Sequence, residues 1–537
     1  MKILMFRTAA CAIALGTTSM AMAQHTGHGG MTMPMPAAKK PVAKKPAAKK
    51  PAAKKKAAAR KPAVKKAVPS EPPPKEQPAA MDHSTMDHMQ MDHAMAAPPP
   101  AAHQPAPVDH STMDHGAMPM PAEPAPAAGQ PMPTDHAAMG HDMPAGEHGG
   151  HGATAGAFGT YPMTREASGT GWQPDASEHS GVMASSGEWT LMGHGALNLV
   201  YDHQSGRRGD DKAFVSGMLM GMARRPIGNG TLQFKAMLSP DPLMGKSGYP
   251  LLLASGETAN GTDRLIDRQH PHDFFMELSA SVSQNIGPKS SLFLYGGLPG
   301  EPAFGPPAFM HREAIMDSPE APISHHWLDS THITFGVITG GLVVDQAKLE
   351  ISRFNAREPD QHRWNIETGP LDSTSVRLSW NPARTLSLQA SWAKLKDPEQ
   401  LEPGIDQKRL SASGLYAAEI APGWKLAATL AWGRKIVEHH KDDAFAAEAS
   451  LKHSNWTVFA RGEMTENREL LESEEHGPAY RVGKVSLGAV RDFRVAEHFS
   501  LGVGGLFAVN FVPNGLAPLY GGHNPVGAMG FVRLKLD

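Results

Sequence analysis

The sequence predicts an all-β protein, an antiparallel outer-membrane β-barrel of about 16 strands, preceded by a disordered tail rich first in Lys, Pro and Ala and then in Met and His. Three observations carry that expectation. From about residue 190 onward apolar and polar residues alternate along many short segments. Tight turns rich in Gly, Pro and Asn take turns with much longer loops. Residues 24–157 contain no Phe, Trp or Tyr and so cannot build a packed core.

The chain begins with a signal peptide, residues 1–23. Lys2 and Arg7 flank an apolar run that ends in the small-residue cleavage pattern Ala21-Met22-Ala23. Cleavage would remove Cys11, the single cysteine among 537 residues. Disulfide scaffolds and Cys-based zinc domains are thereby excluded, as is a blue-copper centre, which needs a thiolate ligand. No later apolar run is long enough for a helical span, so the expected destination is the outer membrane of a Gram-negative bacterium, with the tail in the periplasm. Residues 24–80 form a linker. Between Lys39 and Lys66 it repeats Lys-Lys-Pro-Ala-Ala with no acidic residue, a composition that self-repels and stays extended. Behind a signal peptide a polyanionic partner would be cell-wall polymer or the membrane surface rather than nucleic acid, and the plain alternative, which the composition favours, is a solvated spacer.

Residues 81–157 are expected to be a disordered metal-binding tail. The run Met81, Asp82, His83, Met86, Asp87, His88, Met89, Met91, Asp92, His93 is echoed by Asp109, His110, Met113, Asp114, His115, and then by His136, Met139, His141 and Met143. Residues 24–152 hold 12 His and 14 Met, close to half of the 28 and 31 in the whole chain. Thioether sulfur is a soft ligand suited to Cu(I), imidazole suits both copper oxidation states, and carboxylate adds charge for Cu(II); zinc or calcium would give little reason for so many thioethers. Copper, as Cu(I) and Cu(II), is the expected ligand or cargo, with no organic cofactor. A periplasmic copper carrier is a candidate partner.

Residues 158–189 read as a linker or periplasmic lead-in and residues 190–537 as the barrel. Leu426, Ala428, Leu430 and Trp432 share one face against Lys425, Thr429 and Gly433. Leu386, Leu388, Ala390 and Trp392 repeat the scheme, as do Val376 with Leu378, and Phe274 with Met276 and Leu278. Short turns are expected at Asn229-Gly230, Gly287-Pro288, Asn381-Pro382-Ala383, Pro422-Gly423 and Ser454-Asn455. Long loops are expected near 203–210, 239–271, 298–331, 355–372, 395–406, 434–442, 465–479 and 510–524. Trp380, Trp424, Trp456, Phe493 and Phe499 flank short turns, as a periplasmic aromatic girdle would. The chain departs from common barrels in ending Leu536-Asp537 rather than on an aromatic residue.

The signal peptide, the repeated Met-Asp-His and Asp-His-Ser-Thr-Met segments and the C-terminal barrel together resemble the copper-resistance outer-membrane proteins of the type called copper resistance protein B. The likeness covers roughly residues 81–151 by composition and the barrel by architecture alone, so no family site is carried onto the barrel. It implies copper tolerance.

Within the barrel, strand parity with Leu191, Leu197, Leu199 and Tyr201 on lipid puts Met192, His194, Asn198 and Asp202 in the lumen. The same reading points Met218, Met220 and Met222 inward, with Met192 opposite the region of Met220, and adds Met237 and Met529. The third long loop carries Met310-His311, Met316, His325-His326 and His332, and the second ends in His270-Pro271-His272. A third loop folded into the lumen would bring His311, His325 and His326 to a constriction. The expected function is copper capture, sequestration or export; the alternative is a porin or other substrate channel whose tail scavenges metal or merely tethers it. No catalytic motif is recognisable, and an enzyme is not expected.

A peptide spanning Met81–His115 should bind several copper ions by calorimetry. Met-to-Leu changes should weaken Cu(I) more, and His-to-Ala changes Cu(II) more. Acidification to about pH 5 should loosen Cu(II) while sparing Cu(I), because protonated imidazole cannot ligate; equal acid sensitivity of the two ions would refute the ligand assignment.

Overall fold

The computed structural model describes residues 155–178, 181–471 and 477–536. The signal peptide, the linker and every tail position from Met81 to Met143 lie outside the described residues. The strands are β1 (Val182–Ser186), β2 (Trp189–Gln204), β3 (Asp211–Ile227), β4 (Gly230–Leu238), β5 (Tyr249–Thr258), β6 (Arg264–Gln269), β7 (Phe275–Gly287), β8 (Ser290–Gly297), β9 (Val337–Val344), β10 (Ala347–Phe354), β11 (Ser373–Ala383), β12 (Leu386–Leu395), β13 (Gln407–Ala421), β14 (Trp424–Val437), β15 (His440–His453), β16 (Trp456–Asn467), β17 (Tyr480–Ala496), β18 (Phe499–Phe511) and β19 (Val526–Leu536). Sixteen of them, all but β1, β5 and β6, pair antiparallel in a ring that closes where β19 meets β2, with Leu534 opposite Leu197. β1 makes a hairpin with the start of β2, and β5 pairs with β6 as a separate two-stranded sheet.

Period-two alternation puts one residue type on each face of the wall. Leu199, Leu378, Leu430 and Leu487 are 59%, 52%, 68% and 59% exposed, whereas Arg377, Arg409, Arg461 and Lys484 are 1% each. The apolar face is therefore outside and the charged face inside, the arrangement a bilayer imposes because lipid offers no hydrogen-bond partner and only a closed sheet satisfies its own backbone. Trp380, Trp424, Trp456, Phe493 and Phe499 ring the short-turn end with exposed side chains, and that end faces the periplasm. The protein is an outer-membrane β-barrel.

Three details differ from the sequence reading. The sixth long loop is a two-residue turn, Glu438-His439, because residues 434–437 and 440–442 continue the ladder of β14 and β15, where Val437 pairs with His440. The turn expected at residues 381–383 falls at Arg384-Thr385, since a bulge after Trp380 keeps Ala383 paired with Leu386. Met276 does not face lipid. A register shift between Met237 and Leu238 on β4 leaves it opposite no residue of that strand, and it packs, 0% exposed, against Met218 and Met237.

A ring of sixteen strands is too wide for its own side chains to fill, and three other segments occupy the lumen. Residues 155–178 enter at the short-turn end, where Ala176 N–H donates to the Arg384 carbonyl and Thr160 to that of Pro288. Trp172 and Tyr161 of this plug bury against inward residues of the wall such as Phe293 and Tyr295, and the inward ammonium groups of Lys235 and Lys348 donate to the carbonyls of Gly169 and Thr170. The β5–β6 hairpin of the second long loop sets Leu251, Leu252 and Leu253 into a cluster with Phe459, Val490, Leu506 and Phe531. The third long loop, residues 298–336, carries the short helix α1 (His325–Leu328). α1 seats Trp327 and Leu328 on a bed of Ala431, Ala444 and Ala446. Gly433 completes that bed: a Cβ there would stand 2.5 Å from the Trp327 carbonyl oxygen.

Leu430→Arg on the lipid face should destabilise the detergent-folded barrel by about 2–4 kcal/mol in urea titration. Leu519→Arg, on an exposed loop position, should leave it within about 0.5 kcal/mol. Equal effects at the two positions would contradict the assigned faces.

Candidate metal-binding site in the barrel lumen

Strand parity gathers soft donors on one patch of the inner wall. β2 and β3 pair Met192 with Met222, His194 with Met220 and Ala196 with Met218, and β4 adds Met237 opposite Met220. Met192 thus lies two residues along from the expected partner, with the inward face unchanged. The third loop lowers His311 onto the patch, its Nε2 3.4 Å from the Met237 sulfur and its ring centre 6.1 Å from that of His194. With bonds of about 2.1 and 2.3 Å, nitrogen and sulfur on one tetrahedral ion sit about 3.6 Å apart. His194, Met220, Met222, His311 and Met316 line a cavity of about 60 Å³ beside the plug. A second cavity of about 90 Å³ shares His194 and Met316, passes Met218 and Met310, and reaches His270 and His272. One water needs roughly 10–15 Å³, so each cavity has room for a small hydrated ion.

At its far end, the second cavity meets a cluster of five imidazoles from two loops. The ring centre of His270 is 5.9 Å from that of His325 and 5.5 Å from that of His326, while the centre of His332 is 5.2 Å from that of His272 and 5.1 Å from that of His325. Carboxylates and a carbonyl set the ring orientations. His272 Nδ1 lies 2.8 Å from Asp241 Oδ2, His325 Nδ1 2.7 Å from Asp329 Oδ1, and His332 Nδ1 2.6 Å from the Asp329 carbonyl oxygen. His270 Nε2 is 3.1 Å from Glu257. Gly256, with φ of +115°, admits the His326 ring; a Cβ there would stand 2.7 Å from it.

The network runs back to the wall through Arg312 of the third loop, which is fully buried. Its guanidinium grips both Glu448 oxygens on β15 at 2.8 and 2.7 Å and donates to Asp329 Oδ2 at 2.6 Å. Against the opposing effect of burial, this cation holds the Asp329 carboxyl well below its ordinary range. Burial first, then the neighbouring His325 and His272, keeps His332 well below the usual imidazole value, and burial does the same to His270 with help from Arg363. Both are held neutral, the form that ligates metal. Among the described residues, no three His, Cys, Asp or Glu side chains already converge as an assembled metal centre.

The structure therefore brings Met192, His194, Met218, Met220, Met222, Met237 and His311 to one region and His325 and His326 to another. Met529, buried and inward as expected, pairs with Asp202 near the long-loop end, apart from both. Sequence reasoning named Met310, Met316, His270, His272 and His332 without assigning them to a site; their loops meet only in three dimensions. It placed Met276 on one face with Leu278, and only the bulge reveals otherwise.

No family model matches the chain, and no curated protein sequence matches it. Among solved structures, OmpF of Salmonella typhi in complex with daunomycin is 12% identical with a TM-score of 0.44, covering 66% of this chain and 100% of its own. OmpT of Vibrio cholerae is 10% identical with a TM-score of 0.39, covering 66% and 100%. The outer membrane channel DcaP of Acinetobacter baumannii is 10% identical with a TM-score of 0.38, covering 67% and 100%.

Arg312→Met should lower unfolding stability by about 3–5 kcal/mol, since Glu448 would lose its buried guanidinium partner and Asp329 would keep only the His325 imidazole. Adding Glu448→Gln should recover part of that loss in the same denaturation assay. A single variant within about 0.5 kcal/mol of the parent would show that the pair does not hold the third loop.

Proposed function

We propose that this outer-membrane protein handles copper for copper tolerance, with the periplasmic tail as collector and the lumen as a place of retention or passage. The observation that carries the reading is the contact of His311 Nε2 with the Met237 sulfur in a cavity region also lined by His194, Met220 and Met222. Thioether with imidazole is a donor set for Cu(I). A second support is connectivity. The Met- and His-rich tail joins the described structure at Ala155, whose carbonyl accepts a 2.7 Å hydrogen bond from inward Arg224 on β3, the strand that carries the three methionines. A tethered tail raises the effective concentration of its cargo there, and ligand exchange among thioethers requires no change of donor type.

A rival reading, a channel for another solute, has in its favour the third loop folded into a sixteen-strand ring, and in that case the tail is only a tether. Deleting residues 24–152 separates the two, because a channel would keep its conductance with copper tolerance unchanged.

Met218, Met220 and Met222 changed together to Leu should leave folding nearly intact, as volume is conserved. Retention of Cu(I) by the purified protein should fall by at least the equivalent of one ion beyond what the tail holds. Undiminished retention in a folded variant would sink the thioether site.

A further inference from the structure

The five-imidazole cluster is unlike the thioether patch in its chemistry. We propose that His272, His325 and His332 form a second, distinct metal site, one that selects a divalent transition ion with a preference for nitrogen, Cu(II) or Zn(II). The inference deepens the function proposed above and rests on it for the supply of metal, though not for the geometry.

In all three histidines Nδ1 is committed to an oxygen, of Asp241 or of Asp329, so Nε2 is the atom left to ligate. This is the arrangement in which an outer carboxylate or carbonyl fixes the tautomer and raises the basicity of a ligating imidazole. Asp329 serves two of the three, through Oδ1 and its carbonyl, and is itself fixed by Arg312. The Nε2 atoms of His272 and His332 are buried and have no hydrogen-bond partner, a state that is costly unless something occupies the space between them.

The spacing fits. With metal–nitrogen bonds of about 2.0–2.1 Å and roughly a further ångström to each ring centre, two imidazoles on one tetrahedral ion have centres about 5 Å apart. The His332 ring centre lies 5.2 and 5.1 Å from those of His272 and His325. The donors do not converge on one point among the described residues, so closing on an ion requires the three rings to move together with the oxygens that hold their Nδ1 atoms. Access comes from the cavity that runs from His194 and Met316 to His272. The ring and hydrogen-bond contacts of the three are to one another, to His270 and His326, to Phe309 and to oxygens. A ligand set of three imidazoles sets its selectivity apart from a soft-ion site.

Anomalous diffraction from crystals of the full-length protein tests the proposal, since an ordered site gives a peak. Crystals soaked in zinc chloride, and separately in copper(II) sulfate, should show a peak bonded to Nε2 of His272, His325 and His332. In His332→Gln, shown folded by its heat-dependent gel shift, occupancy should drop at least tenfold; His332→Asn serves if the first variant does not fold. No peak among the three rings in the parent crystals overturns the proposal, as does one undiminished in the folded variant. Silver(I) soaks report the thioether patch separately, so a silver peak without a zinc or copper(II) peak removes the second site and leaves the copper reading standing. The reverse pattern removes the soft-ion site alone.

Discussion

The buried guanidinium of Arg312 is the interaction on which the interior depends. A cation withdrawn from water is tolerated only with opposite charge at hydrogen-bonding distance, and the two anions it meets belong to different parts of the molecule: Glu448 to the wall and Asp329 to the third loop itself. One contact fixes the loop to the barrel. The other fixes the histidines that Asp329 orients. Neighbouring pairs repeat the theme, with Asp317 on Arg533 of β19 and Glu320 on Arg461 and Lys484 of β16 and β17. The acidic side chains of the loop thus neutralise a basic wall, and its position is set by electrostatics as much as by the seating of Trp327 on alanines.

This division of labour explains what could be read from sequence. The wall was legible because a bilayer outside and charge inside impose a period of two, visible in Leu426 to Trp432 and again in Val376 and Leu378. The inward facing of Met218, Met220 and Met222 followed from the same parity. Of the contents of the lumen only the third loop was expected; the plug and the hairpin of the second loop were not legible. Residues 158–178 show no periodicity because they pack as irregular backbone among polar groups of the wall, Lys235, Lys348 and Arg377 among them. His272 and His332 lie sixty residues apart in the chain, and nothing local marks that their loops meet. Met276 was misassigned because one bulge reverses parity for the residues beyond it.

The interior is consequently graded in chemistry along its cavities. Thioethers with two imidazoles occupy the region next to the plug, and imidazoles with carboxylates the region built by the second and third loops. His194 and Met316 border both cavities. Arg363 of the fourth loop adds a clasp over the second region, pairing with Asp273 at 3.1 Å and with Glu257. The loops that fill the barrel are therefore also what gives its interior two kinds of donor.

The plug raises a question of containment. Residues 155–178 precede every strand among the described residues, yet they lie inside a cylinder whose seam, β19 against β2, joins the last described strand to the second. Among the described residues the wall is a ring of paired strands that closes on itself, so the side chain of Trp172 has hydrogen-bonded backbone on every side. The enclosed segment can be exchanged with its surroundings only along the barrel axis, towards the end where Thr160 and Ala176 touch the short turns. The molecule is in this sense a sheath drawn around residues 155–178.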